Sequence, residues 1–187
     1  MLKHFYFVRH GQTDWNLLQK IQGWTDVPLN QNGEEQAESL AERILSLGIK
    51  ISHIYSSPLI RAYRTAEIIS SKLGGIEVIK NPLLKERCCG GLEGRCVSDF
   101  TEYEKENFYL IVEKTNGEGN KQIYERFCSF ISQLPSDFDN VLIVSHGGFI
   151  NVVIKSFSKE EISITNCCLI SFDYDTETRN LSNFMCI

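Results

Sequence analysis

Apolar residues along the chain fall into short runs separated by longer stretches of helical spacing, and that alternation predicts the element order. Lys3 to Val8 is aromatic and β-branched and ends at Arg9-His10-Gly11, the pattern of a first strand. From Gly11 to Asn32 periodicity is lost around Pro28 and several polar residues, which predicts a long loop. Ala37, Leu40, Ala41, Ile44 and Leu47 recur at helical spacing up to Gly48, and Ile51 to Ser56 reads as a second strand. Ser57-Pro58 predicts a helix start, a capping hydroxyl followed by a proline whose missing N–H costs nothing there. Leu59, Ala62, Ala66, Ile69 and Leu73 carry that helix to Gly74-Gly75, and Ile76 to Ile79 is a third short strand. Ile123, Phe127, Phe130, Ile131 and Leu134 mark a helix closed by Pro135. Val141 to Ser145 is the most buried-looking strand and leads through His146-Gly147-Gly148 into an apolar helix. Leu169 to Tyr174 and Leu181 to Ile187 pair as an edge hairpin, while residues 95 to 121 are charged, weakly patterned and expected to form an insertion rather than core.

Strands alternating with helices imply an α/β fold with a parallel or mostly parallel sheet covered on both faces. Ligands of such sheets bind outside the carboxyl ends of the strands. No repeat, linker or low-complexity stretch interrupts residues 1–187, so one domain with a small insertion at about 95–121 is expected.

Charge narrows the partners. Nineteen Lys and Arg against twenty-four Asp and Glu leave a formal charge of -5, which argues against nucleic acid or an anionic membrane surface. The apolar run before Arg9 is too short for the core of a signal peptide, and no run reaches membrane-spanning length, so a cytoplasmic protein is expected. Seven cysteines, four of them in the pairs Cys88-Cys89 and Cys167-Cys168, lack the spacing of a zinc site and read as small hydrophobes. No metal and no cofactor is called for, and oligomeric state is left open.

Candidate chemistry collects at two strand ends. His10 follows the first strand and precedes Gly11; His146 follows the Val141 strand and precedes Gly147. Arg9 adjoins His10, and Arg61 lies in the first turn of the helix after Ser57-Pro58, where free N–H groups already favour an anion. Two imidazoles and two guanidiniums at one sheet edge suit a phosphoryl group better than a carboxylate.

The run Phe7-Val8-Arg9-His10-Gly11-Gln12-Thr13-Asp14-Trp15-Asn16 resembles the signature of the histidine phosphatase superfamily, in its phosphoglycerate-mutase-like branch. Ile21-Gln22-Gly23, Asp26, Pro28-Leu29, Gly33 and Gln36-Ala37 resemble its next block, and Ser56-Ser57-Pro58-Leu59, Arg61-Ala62 and Thr65-Ala66 the one after. Leu84, Glu86, Gly90 and Glu93-Gly94 resemble the segment carrying an acid, and Val144-Ser145-His146-Gly147 the last block. The resemblance implies a three-layer fold. It implies His10 as a nucleophile that becomes phosphohistidine, His146, Arg9 and Arg61 holding the phosphoryl group, and Asn16, Thr13, Gln22, Gly23 and the amide of Gly147 assisting. Glu86 would protonate the leaving oxygen, a role a neighbouring phosphate dianion favours by holding the proton on the carboxyl. His10 must be neutral to attack, and nearby arginines favour that form.

The implied activity is hydrolysis of a small phosphorylated metabolite without metal, since fixed arginines supply the positive charge that phosphoryl transfer needs. The alternatives are a cofactor-dependent phosphoglycerate mutase and a binding protein that kept the fold and lost catalysis. Against the mutase, residues 95 to 121 hold Arg95, Lys105, Lys114 and Lys121 against Asp99, Glu102, Glu104, Glu106, Glu113 and Glu118; four minus six leaves -2. Two departures from the family pattern stand out: Gly117-Glu118-Gly119 replaces Gly-Glu-Ser before the late helix, and Cys88-Cys89 precede Gly90 where an apolar or aromatic residue is common.

Overall fold

The computed structural model describes residues 1–135, 138–159 and 161–187. Strand β1 spans Leu2–Arg9 and leads through a four-residue helix, α1 (Asp14–Leu17), to α2 (Gln31–Ser46). Strand β2 (His53–Ser56), helix α3 (Ile60–Lys72) and strand β3 (Val78–Lys80) follow. After three single 3-10 turns come α4 (Glu102–Glu106), α5 (Phe108–Lys114) and α6 (Asn120–Ser132). The chain ends on β4 (Val141–Ser145), α7 (Gly147–Phe157) and the hairpin of β5 (Leu169–Asp175) and β6 (Asn180–Cys186).

The sheet order is β3-β2-β4-β1-β5-β6. Strands β3, β2, β4 and β1 are mutually parallel, and β5 runs against both its neighbours. Alternation along the strands fills two cores. Phe5, Phe7, Val141 and Ile143 face α6 and α7, where Ile123, Phe127, Phe130, Phe149 and Val153 are buried. Val8, Ile54, Leu142 and Val144 face α2 and α3, meeting Leu40, Ala41, Ile44, Ala62, Ala66 and Ile69. A three-layer α/β sandwich results, and each fully buried large side chain contributes about 1.5–3 kcal/mol relative to exposure. All five residues of β4 are buried, as a central parallel strand requires.

Several boundaries differ from the sequence expectation. The parallel ladder of β2 with β4 starts at His53 opposite Val141, so Ile51 and Ser52 lie outside the strand. Ile76 likewise lies outside the strand: its carbonyl accepts the Ser70 hydroxyl, and β3 pairs only from Val78. The loop from Gly11 contains α1, and α2 begins at Gln31, its Asn30 cap accepting from the Gly33 amide at 2.9 Å. Ser57 is not the helix cap: α3 starts at Ile60, whose amide donates to Asp26 Oδ1 at 2.6 Å. Residues 95 to 121 carry α4 and α5 and do build core, a small one in which Phe100 and Val112 pack with Cys89 and Leu92. Gly119 caps α6, its amide donating to Gln122 at 2.6 Å. Among the described residues no helix is long and apolar enough to cross a membrane.

Candidate active site

The carboxyl ends of β1 and β4 are neighbours in the sheet, so the residues that follow them, His10 and His146, meet. Their ring centroids are 5.2 Å apart. Beside them opens a cavity of about 490 Å³ lined by Arg9, His10, Asn16, Gln22, Gly23, Arg61, Glu86 and Gly147, with Lys20, Arg87, Tyr109 and Asn151 among the outer residues.

His10 is almost fully buried. Its Nδ1 lies 2.7 Å from the carbonyl oxygen of Gly11, and a carbonyl only accepts, so Nδ1 carries the proton and Nε2 keeps its lone pair. Burial, then the charges of Arg61 and Arg9, hold the imidazole well below its ordinary titration range. His10 is therefore neutral and unprotonated at Nε2, the state of a nucleophile.

Arg61 is fully buried in the first turn of α3, seated by the Gly23 carbonyl at 2.7 Å and the Thr25 carbonyl at 2.9 Å. Arg9 donates to the Ile164 carbonyl at 2.8 Å. Three buried side-chain nitrogens have no partner among the described residues: Nε of Arg9, Nε of Arg61 and Nδ1 of His146. All belong to this site. The two guanidinium Nε groups are buried donors without acceptors, a costly arrangement, and an anion offering several oxygens in the cavity would satisfy them. None of Arg9, Arg61, Lys20 and Arg87 forms an ion pair among the described residues, so four cations face the single carboxylate of Glu86 in a protein of net charge -5.

Glu86 sits over the start of α7. Its Oε1 accepts from the amides of Arg87 at 2.7 Å and Phe149 at 2.8 Å, and its Oε2 from Gly148 at 3.0 Å. A Cβ on Gly148 would lie 2.6 Å from Glu86 Oε1, so any larger residue would push the carboxylate out of its present seat. Gly147 faces the other wall, where a Cβ would come within 3.3 Å of Arg9 Nε.

The oxygen of the Asn16 side chain takes the Thr13 amide and hydroxyl at 3.0 and 3.1 Å, which leaves its NH₂ end to a ligand. Gln22 accepts from the same hydroxyl at 3.1 Å and also lines the cavity. Thr13, expected to touch substrate, is instead fully buried, caps α1 and orients Asn16 and Gln22. His146 also lies behind the cavity wall; its Nε2 is 2.8 Å from the Ser57 hydroxyl. Burial and then Arg61, His10 and Arg9 push its titration well below the ordinary range too.

Several residues outside the sequence-derived set support these. Glu93 holds the loop that seats Arg61, accepting from the amides of Trp24 and Thr25 at 2.9 Å each. Asn166 donates to the His10 carbonyl at 2.9 Å and to Asn16 at 3.3 Å. Cys89 lines the cavity but burial pushes its thiol up to about 12, so it is not a nucleophile.

The profile of the histidine phosphatase superfamily (branch 1) matches residues 5–186. An uncharacterized phosphatase, PhoE, of Bacillus subtilis is 34% identical over 95% of this chain and 91% of its own. Phosphoglycerate mutase-like protein 4 of Arabidopsis thaliana is 37% identical over 76% of this chain and 66% of its own length. Among solved structures, a phosphoserine phosphatase variant of Entamoeba histolytica in complex with phosphoserine superposes with a TM-score of 0.77 at 28% identity, covering 97% and 95% of the two chains.

Proposed function

Because the chain belongs to the histidine phosphatase superfamily, we propose that it hydrolyses small phosphate monoesters through a phosphohistidine on His10. The observation that carries this reading is the environment of His10: a neutral imidazole with a free Nε2 beside the unpartnered Nε atoms of Arg9 and Arg61. Nε2 attacks phosphorus as the bond to the ester oxygen breaks, and Glu86 gives that oxygen its proton. The positive charge left on the imidazole is relieved through Nδ1–H on the Gly11 carbonyl. Water then attacks phosphorus, its proton returns to Glu86, and the P–N bond gives its electron pair back to Nε2. Arg9, Arg61, the Asn16 NH₂ and the amide of Gly147 carry the spread oxygen charge throughout, which is why no metal enters the scheme. His146 serves as a neutral ring packed behind His10, where it holds that imidazole in place while Arg9 and Arg61 supply the positive charge. The substrate class is small phosphorylated metabolites, in line with the phosphoserine and 3-phosphoglyceric acid bound by the Entamoeba histolytica phosphatase.

Rapid alkaline quenching during turnover of a radiolabelled monoester should trap alkali-stable, acid-labile phosphate on the His10 peptide. Label on His146 would reassign the nucleophile. Absence of both turnover and label would point to the binding-protein reading.

A further inference from the structure

The Gly117-Glu118-Gly119 turn has no part in the chemistry above, yet Glu118 forms the one ion pair in which both side chains are nearly buried among the described residues. Arg126 Nε and a terminal nitrogen reach Glu118 Oε1 and Oε2 at 3.0 and 2.9 Å, with side-chain exposures of 15% and 16%. The rest of the Arg126 fork is spent on one stretch of backbone: the carbonyls of Leu83 at 2.6 Å, Lys85 at 2.9 Å and Glu86 at 3.2 Å. Glu118 completes the grip from the other side, accepting the Cys88 amide at 2.8 Å while its own carbonyl takes Arg87 at 2.6 Å. Residues 83 to 88 have no strand or α-helix through Glu86 to fix them, so this pair supplies what regular structure would.

We infer that Arg126 and Glu118 are positioning residues that set the acid Glu86 against the leaving oxygen. The Arg126 guanidinium lies 5.4 Å from the centroid of the Phe149 ring, and the Phe149 amide holds Glu86 Oε1 at 2.8 Å. Both ends of Glu86, its carbonyl directly and its carboxylate through the first turn of α7, are thus referred to one guanidinium. A planar fork meeting three carbonyls and a carboxylate cannot be reproduced by an ammonium. Displacing an acid by about an ångström from the geometry of proton transfer is enough to cost roughly 10²-fold in rate.

The inference rests on the assignment of Glu86 as the acid, so the experiment separates the two. Turnover of p-nitrophenyl phosphate and of β-glycerophosphate would be compared as kcat/KM per folded protein in the intact protein, Glu86→Gln, Arg126→Lys, Glu118→Gln and the double variant Glu86→Gln/Arg126→Lys. Arg126→Lys is expected to lose about tenfold or more on β-glycerophosphate and less than about threefold on p-nitrophenyl phosphate, whose leaving group needs no proton. In the Glu86→Gln background the same change should cost nothing further, because the two act as one unit. Equal losses on both esters from Arg126→Lys, with a selective loss from Glu86→Gln, would make the pair merely structural and overturn the inference. Equal losses from Glu86→Gln itself would remove the acid and the inference with it. Should Arg126→Lys not fold, the near-isosteric Glu118→Gln decides on the same ratio.

Discussion

His146 Nε2 lies 2.8 Å from Ser57 Oγ, and the His146 ring stands 5.2 Å from that of His10. Ser57 leaves β2 and His146 leaves β4, adjacent parallel strands, so the sheet itself brings the hydroxyl to the imidazole. The Ser57 Oγ also takes the Leu59 amide at 3.3 Å, which ties this pair to the approach to α3 and hence to Arg61. Replacing Ser57 by Ala should therefore cost about 1 kcal/mol of stability. Turnover should fall severalfold with little change in KM, since His146 stands behind the cavity and not in it. Urea titration and steady-state kinetics would check it; a rise in KM at constant kcat would put Ser57 in substrate binding instead.

Acid should destabilise the fold through the two histidines. Both are buried and both titrate well below the ordinary value in the folded protein, so between that value and the folded one the unfolded chain binds more protons. Stability is then fully present above about pH 6.5 and is lost as the pH falls below it, by up to about 1.4 kcal/mol per histidine per pH unit. Urea midpoints at about pH 5 and pH 7.5 should show this slope, and His146→Gln should halve the histidine contribution. A midpoint independent of pH across that window would mean the imidazoles are not held neutral.

How far the site could be read in advance depended on what kind of atom each residue uses. Arg9, His10 and His146 follow strands whose apolar pattern is unambiguous, so their meeting at one sheet edge was legible. Arg61 was legible as a charge near a helix start, but its seat was not: the carbonyls of Gly23 and Thr25 belong to backbone, which leaves no side-chain signature. Ser57 was misread because Ser-Pro has the chemistry of a cap; only the fold shows its hydroxyl turned to a ring 89 residues away. Residues 95 to 121 looked like surface because the positions that build their core, Phe100, Phe108, Ile111 and Val112, fall on a turn and on the seven-residue α5, too brief to show a period.

Gly148 should be intolerant of even one methyl group. A Cβ there would sit 2.6 Å from Glu86 Oε1, displacing the carboxylate from the amides of Gly148 and Phe149. Gly148→Ala should lose β-glycerophosphate hydrolysis by about 10²-fold or more while retaining most p-nitrophenyl phosphate turnover. Chelation should leave both activities of the unaltered protein in place, because the guanidiniums provide the charge. Loss on EDTA treatment, recovered with magnesium or zinc, would contradict that scheme.

Water, not a second phosphate acceptor, should capture the phosphohistidine. A mutase must hold its intermediate phosphorylated and retain the product while it turns, which demands strong anion binding beyond the transferred group. In the segment from Arg95 to Lys121 three of the four cations are engaged by acids: Arg95 pairs with Glu104 at 2.9 Å, Lys105 with Glu102 at 2.7 Å and Lys121 with Glu125 at 3.8 Å. Lys20 and Arg87 do line the cavity, but Arg87 is committed to the Glu118 carbonyl and Asn120 Oδ1 at 2.6 Å each, and the Lys20 ammonium stands 5.6 Å from the Trp15 ring. Two cations, one of them already seated, form a weaker anchor than a dedicated second phosphate site requires. Phosphate release should accordingly exceed interconversion of 3- and 2-phosphoglycerate by at least about tenfold, with or without 2,3-bisphosphoglycerate. The measurement is a coupled assay of both reactions on the same preparation. Interconversion that outruns hydrolysis and depends on the bisphosphate would make the chain a mutase, with Lys20 and Arg87 as its second anion site.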